Sequence, residues 1–171
     1  MPDPEFSFEP EPRALLSRFN VSLPVHDAEV ERLRLVDAVL LRSLLEEAIR
    51  RPSDAEFIIA RDTETTIQNL IRRLAVYEVR ERLADLFTVF HFTMNADLHH
   101  FMQMDVVSCW LFDSVFSSLC QEVYNMRDFF PSDYVRNLSR VSDVCRTTME
   151  SFRHICPECK RFRSKGVDRP N

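Results

Sequence analysis

The chain has 171 residues, 45% of them apolar, a net charge of −5 and a single glycine, Gly166. That length and apolar content suffice for one folded domain with a sizeable core and exclude a disordered chain. A chain without glycine before position 166 has no glycine-rich phosphate loop, no dinucleotide fingerprint and few tight hairpins, so helices are the favoured element.

Met1 to Pro12 is acidic, holds four prolines and reads as extended. It has neither the basic start nor the apolar run of a secretory signal. No apolar stretch approaches the roughly 20 residues that cross a bilayer, so no membrane insertion is expected. Five cysteines without a signal suggest a reducing compartment where thiols stay free. Arg13 to Phe19 reads as a short helix with Leu15, Leu16 and Phe19 on one side, and Val21 to His26 as a connector around Pro24. Asp27 is a helix N-cap candidate, with Glu29 and Glu31 near the positive helix end. From there Val30, Leu33, Val36, Leu40, Leu41, Leu44, Leu45 and Ala48 recur at helical spacing. Arg50 and Arg51 suit the negative end of that helix, and Pro52 stops it. Asp54 to Arg61 reads equally as a helical turn or a connector.

Asp62 or Thr63 caps the next helix. Ile67, Leu70, Ile71, Leu74, Tyr77, Leu83, Leu86, Phe87 and Phe90 continue it without a proline or glycine to Phe92. Thr93 to Asp97 is a break, Asn95 and Asp97 being turn and cap residues. A second periodic segment starts at Leu98 and runs to Phe130, about 33 residues or nearly 50 Å as one helix. Two long helices joined by so short a loop lie antiparallel as a hairpin. Pro131, Ser132 and Asp133 then restart the chain. Tyr134, Leu138, Val141, Cys145, Thr148, Phe152 and Ile155 line one face of a last helix that Pro157 ends.

The second hairpin helix is apolar over most of its girth: Phe101, Met102, Met104, Val106, Val107, Trp110, Leu111, Phe112, Val115 and Phe116 cannot all face one partner. Either the remaining helices fold back over it in a compact monomer, or two hairpins pack together as an intermolecular four-helix bundle, like a core cut in half.

The element order is an acidic start, a short helix, an amphipathic helix, a long hairpin, a fifth helix, a proline-containing segment and a basic tail. MPDPEF with ALLSRF, SLPVHDAEV and LLEEAIRRPSD fit that order. In these respects the chain resembles the core (capsid) protein of hepatitis B virus and its relatives, the nackednaviruses of fish included. The resemblance implies an all-α five-helix capsid fold over residues 1–159, followed by a basic tail, 160–171. It implies hairpins that dimerise through Leu83, Phe87, Phe90, Phe101, Met104, Leu111, Phe112 and Val115. Dimers would then join through Phe152, Pro157, Phe162 and Arg163 into an icosahedral shell. Lys160, Arg161, Arg163, Lys165 and Arg169 would face viral nucleic acid. The expected setting is the virion and the host cytoplasm or nucleus. The chain departs from the hepatitis B members in having no cysteine between Asp62 and Phe92, which removes a disulfide at the dimer seam. Pro131 stands in place of a glycine between the fourth and fifth helices, and the arginine-rich tail is only begun.

Other features bear on this reading. His154, Cys156 and Cys159 are zinc-capable, with Cys145 as a fourth donor, but the second closely spaced pair of a zinc site is missing, so no metal is expected. A helical regulatory or adaptor protein with a C-terminal zinc site is the alternative function. No nucleophile, base and orienting group stand at catalytic spacing, so neither enzymatic activity nor a cofactor or small-molecule substrate is expected. His91 and His100 are in the range to titrate near neutral pH, and read as surface residues. Phe162 between Arg161 and Arg163, beyond a helix-breaking proline, reads as an interface anchor.

Overall fold

A computed structural model describes residues 12–55 and 59–155 of the chain, with side chains through Phe152. Among these residues every regular element is helical: α1 (Pro12–Arg18), α2 (Asp27–Val30), α3 (Leu35–Arg50), α4 (Arg61–Val89), α5 (Leu98–Met102), α6 (Val106–Asn125), a 3₁₀ turn (Arg127–Phe129) and α7 (Ser132–Ile155). The sequence predicts one assembly domain over 1–159. The described part of it forms two compact units that divide within α4, the first ending at Glu81 and the second starting at Arg82.

In the first unit α1, α2, α3 and the first five turns of α4 enclose a core of Leu15, Leu16, Val21, Val30, Leu33, Ala38, Leu41, Leu45, Ile67, Leu70 and Leu74. The helix expected from Asp27 through Arg50 is interrupted between α2 and α3. Tyr77 donates its hydroxyl to the Leu33 carbonyl at 2.6 Å, which takes that carbonyl out of the helical ladder. Arg34 is extended there and holds Asp37 with two hydrogen bonds of 2.7 and 3.1 Å. Further along, Arg42 pairs with Glu78 at 2.8 Å and with Glu46 at 2.9 Å, tying α3 to α4.

In the second unit the end of α4, then α5, α6 and α7 pack around phenylalanine rings. The α4 end and α6 run antiparallel: Arg82 meets Glu122 at 3.5 Å, Phe87 meets Phe116 with centroids 5.8 Å apart, and Phe90 meets Phe112 at 5.4 Å. The hairpin is therefore present over these turns, but its second arm is not one helix. Asp105 is extended and accepts hydrogen bonds from the Ser108 amide at 2.9 Å and hydroxyl at 2.6 Å. That cap starts α6 afresh and separates it from the five-residue α5. The loop between the long helices is correspondingly longer than expected, with α5 inside it. α7 lies back along α6, with the Tyr124 and Ser139 hydroxyls bonded and the Cys145 thiol 3.6 Å from Asp113. Its Arg140 donates to the carbonyls of Ala96 and Met94, fastening the turn before α5.

Helix ends in a chain nearly without glycine need another residue in the left-handed region. Asn20 (φ 56°) ends α1 and His91 (φ 56°) ends α4. At each, the two backbone bonds of a Schellman cap are present. Val21 N–H donates to Leu16 O at 3.0 Å and Asn20 N–H to Ser17 O at 3.1 Å; Phe92 N–H donates to Phe87 O at 2.7 Å and His91 N–H to Thr88 O at 3.1 Å. The apolar contact that accompanies such caps fits the buried pairs Leu16 with Val21 and Phe87 with Phe92. A side chain in this region costs energy that glycine avoids. His91→Gly should therefore raise stability by about 1 kcal/mol, and β-branched His91→Val should lower it. Urea unfolding of the two variants against the parent checks both signs.

Candidate self-association surface

The surface that stands out is the outward face of α6. Its inward face is set by the period of the sequence: Cys109, Phe112, Phe116, Leu119, Cys120 and Val123 are all buried. The row on the opposite side is also apolar yet exposed. Val107 is 67% exposed, Leu111 59% and Val115 46%, at successive fourth positions, and Trp110 beside them is 38% exposed. Every exposed residue from Val107 to Ser118 is uncharged, the others being Ser114, Ser117 and Ser118. On α5, Leu98 and Met102 are exposed as well. An apolar row at helical spacing without interspersed charge suits contact with another protein surface rather than water.

The structure sorts the expected interface residues into three groups. Leu83, Phe87, Phe101 and Phe112 are buried inside the chain's own second unit. Rings of the same chain pack around Phe87, Phe101 and Phe112, so these side chains face the unit's own core. Phe90 and Met104 are half-buried. Leu111 and Val115 alone of that set are exposed. Val107 and Trp110 are exposed beside them; the sequence places both in the apolar girth of this helix but not in the dimer set. The signal for them was present in the spacing, since Val107 lies four residues before Leu111 and Trp110 lies one before it, away from the Cys109–Phe112–Phe116 side. Of the expected inter-dimer residues Phe152 is half-buried at the end of α7. Pro157, Phe162 and Arg163 lie outside the described residues, as do Lys160, Arg161, Lys165 and Arg169 and the zinc-capable pair Cys156 and Cys159.

Polar chemistry around this face is sparse. At the N-terminus of α5 the His100 Nδ1 lies 2.7 Å from Asp97 Oδ1, and that hydrogen bond is the main reason the Asp97 carboxyl is held below its ordinary range. Both side chains are more than half exposed, and Asp97 also accepts from the His100 amide, so the pair caps α5. Between α6 and α7, Cys109, Cys120 and Cys145 are free and buried. Burial first, and negative charge at Asp105 or Asp113 second, pushes their thiols up to about 11, 12 and 12 respectively. Such thiols stay protonated near neutral pH, and the thiolate is the reactive form. Among the described residues no cluster of three or more His, Cys, Asp or Glu is placed to hold a metal, and no helix is long and apolar enough to cross a membrane.

No family model, no curated protein and no solved structure matches the chain.

The thiol environments give a measurable expectation. In the native protein at pH 8, a thiol-reactive dye should leave Cys109, Cys120 and Cys145 unmodified until denaturant is added, as mass spectrometry of their peptides would show. Fast labelling of Cys145 would show that the α6–α7 contact opens readily.

Proposed function

We propose that the chain is a self-assembling structural subunit, a capsid (core) protein of the hepadnavirus and nackednavirus kind. In this reading it dimerises through the α4–α6 hairpin and closes into an icosahedral shell around a viral genome. The exposed, charge-free row Val107–Leu111–Val115 on α6 carries the reading. Two copies pairing about a two-fold axis bring the same row together from both sides, and a row without charge meets its own copy without like-charge repulsion. Burying one such side chain contributes roughly 1.5–3 kcal/mol. Several per copy are required, because association itself costs on the order of 4–15 kcal/mol. The order of elements and the antiparallel α4–α6 contacts add support. The half-buried Phe152 at the end of α7 leads toward the proposed inter-dimer strap of Pro157, Phe162 and Arg163. The basic residues from Lys160 to Arg169 would then neutralise phosphates on the inner side of the shell.

Electron microscopy and sedimentation of the purified protein test this directly, with uniform closed shells, or a dimer on the way to them, expected. Leu111→Asp and Val115→Asp should leave helical content unchanged by circular dichroism and abolish the dimer in native mass spectrometry, since each would bury an unpaired charge at the seam. Phe112→Asp is not a useful test, because Phe112 is fully buried in its own chain and the substitution unfolds the unit. A parent chain that stays monomeric at micromolar concentration would sink the capsid reading and leave the helical adaptor.

Closure of the shell has its own test. Phe162→Ala should keep the dimer while raising the concentration at which shells form. Each shell repeats the contact many times, so a small loss per copy multiplies. Shell formation at the parent threshold would remove Phe162 from the strap.

A further inference from the structure

The stretch Arg50-Arg51-Pro52-Ser53 ends α3 and opens the turn after it. Pro52 cannot continue the helix, so Ser53 stands outside it, and every residue from Arg51 to Asp54 is exposed. The Ser53 hydroxyl reaches only the exposed carboxylate of the next residue, Asp54, at 3.4 Å. The side chains of Arg50 and Arg51 are 67% and 63% exposed and share one carboxylate, Glu47, at 3.5 and 3.6 Å. Exposed pairs of this kind hold little free energy, so both guanidinium groups are able to turn to another anion. Five described serines and threonines have an arginine two or three places before them: Ser53, Thr63, Ser139, Ser142 and Thr148. The last four lie within α4 or α7. There the Thr63, Ser139 and Thr148 hydroxyls donate to the main-chain carbonyls of Ala60, Val135 and Val144. Of the five, Ser53 alone follows two arginines and lies outside a helix.

We propose that Ser53 is a phosphorylation site for an arginine-directed, ATP-dependent serine kinase. Such a kinase binds its substrate as an extended segment and pairs the arginines before the acceptor with carboxylates of its own, so the charge pattern selects the serine. The Ser53 oxygen attacks the γ-phosphorus of ATP, held with magnesium by the kinase, and its proton passes to the kinase's catalytic carboxylate. The bond from the γ-phosphorus to the bridging oxygen breaks, and ADP leaves. Little of the fold has to give way. The bond from the Asp54 N–H to the Arg51 carbonyl, 3.1 Å, opens, and the last turn of α3 loosens, where the Arg51 N–H donates to the Glu47 carbonyl at 2.8 Å. Helix ends and exposed turns are the parts of a fold that open most readily. The product places a charge of about −1.5 to −2 beside Arg50 and Arg51, whose guanidinium groups then pair with phosphate oxygens in place of Glu47. The site lies in the first unit and α6 in the second, so this proposal does not rest on the self-assembly proposed above.

The folded full chain, incubated with magnesium, ATP and the catalytic subunit of the cyclic-AMP-dependent protein kinase, provides the test, with phosphopeptides mapped over time by mass spectrometry. Ser53 should take the phosphate. Arg50→Ala combined with Arg51→Ala should slow that modification about tenfold or more, the loss of one charge-assisted pair. Both positions are exposed, and an unchanged circular dichroism spectrum shows that the variant keeps its helices. A folded chain left unmodified at Ser53, or an arginine variant modified at the parent rate, overturns the proposal. Modification of Ser53 by an acid-directed casein kinase alone, lost in Asp54→Asn, overturns it as well, since the serine would then be read through Asp54 and Glu56 and not through the arginines.

Discussion

The ring of Phe112 is the contact on which the second unit depends. Five other rings surround it: Phe116 at 5.0 Å, Phe92 at 5.2 Å, Phe90 and Phe101 at 5.4 Å and Phe87 at 6.0 Å between centroids. They come from the end of α4, the turn after it, α5 and α6 itself. Most pairs are tilted or edge-to-face, the geometries that the ring quadrupole favours, each worth about 0.5–1.5 kcal/mol beyond burial. A single side chain thus sets the approach of four segments, and it sets the rotation of α6. With Phe112 and Phe116 turned inward, positions 107, 111 and 115 have only one direction left, which is outward.

Helix positions were legible from periodicity, and two of their breaks were not. The α2–α3 break lies in a stretch where Val30, Leu33 and Val36 keep helical spacing, and no proline or glycine marks it. A tertiary bond marks it, the Tyr77 hydroxyl on the Leu33 carbonyl, from a residue 44 positions away. A local pattern carries no trace of such a partner. The α5–α6 break is different. Asp105 followed by Ser108 is a readable N-cap, but it sits inside a dense apolar run whose period continues across it, and the periodicity outweighed the cap. The stops near Asn20 and His91 were legible to within about three residues, since the first helix was expected to end at Phe19 and the long one at Phe92. What the sequence did not show is that asparagine and histidine, in place of glycine, take the left-handed position there.

The candidate surface was legible in kind but not in phase. α6 is apolar on its exposed side as well as its buried one, as the pattern implied. Which residues the chain covers itself depends on helix rotation, and rotation depends on rings far apart in sequence. Phe112 and Leu111 are neighbours in the chain and look interchangeable in a list of apolar residues. One step of about 100° separates a fully buried ring from an exposed leucine. Phe101 and Leu83 went the same way as Phe112, for the same reason.

The exposed sides of α6 and α7 differ in kind. Both helices put one side into the same core. On α7 the exposed residues include Asp133, Arg136, Arg140, Asp143, Arg146 and Glu150, an amphipathic division that needs no further partner. The chain is 29% charged overall, so charge is not scarce. Yet α6 holds only Asp113 and Glu122. Asp113 is turned toward the Cys145 thiol and Glu122 is held by Arg82. The outer row from Val107 to Ser118 therefore lacks charge in a protein that places it freely on the adjacent helix. Val107, Leu111 and Val115 contribute to the isolated fold only through the part of each side chain that is covered. Charge there would raise solubility at no cost to the core. Its absence is what a surface requires if it must meet an identical copy of itself, where any like charge near the two-fold axis would face its own image.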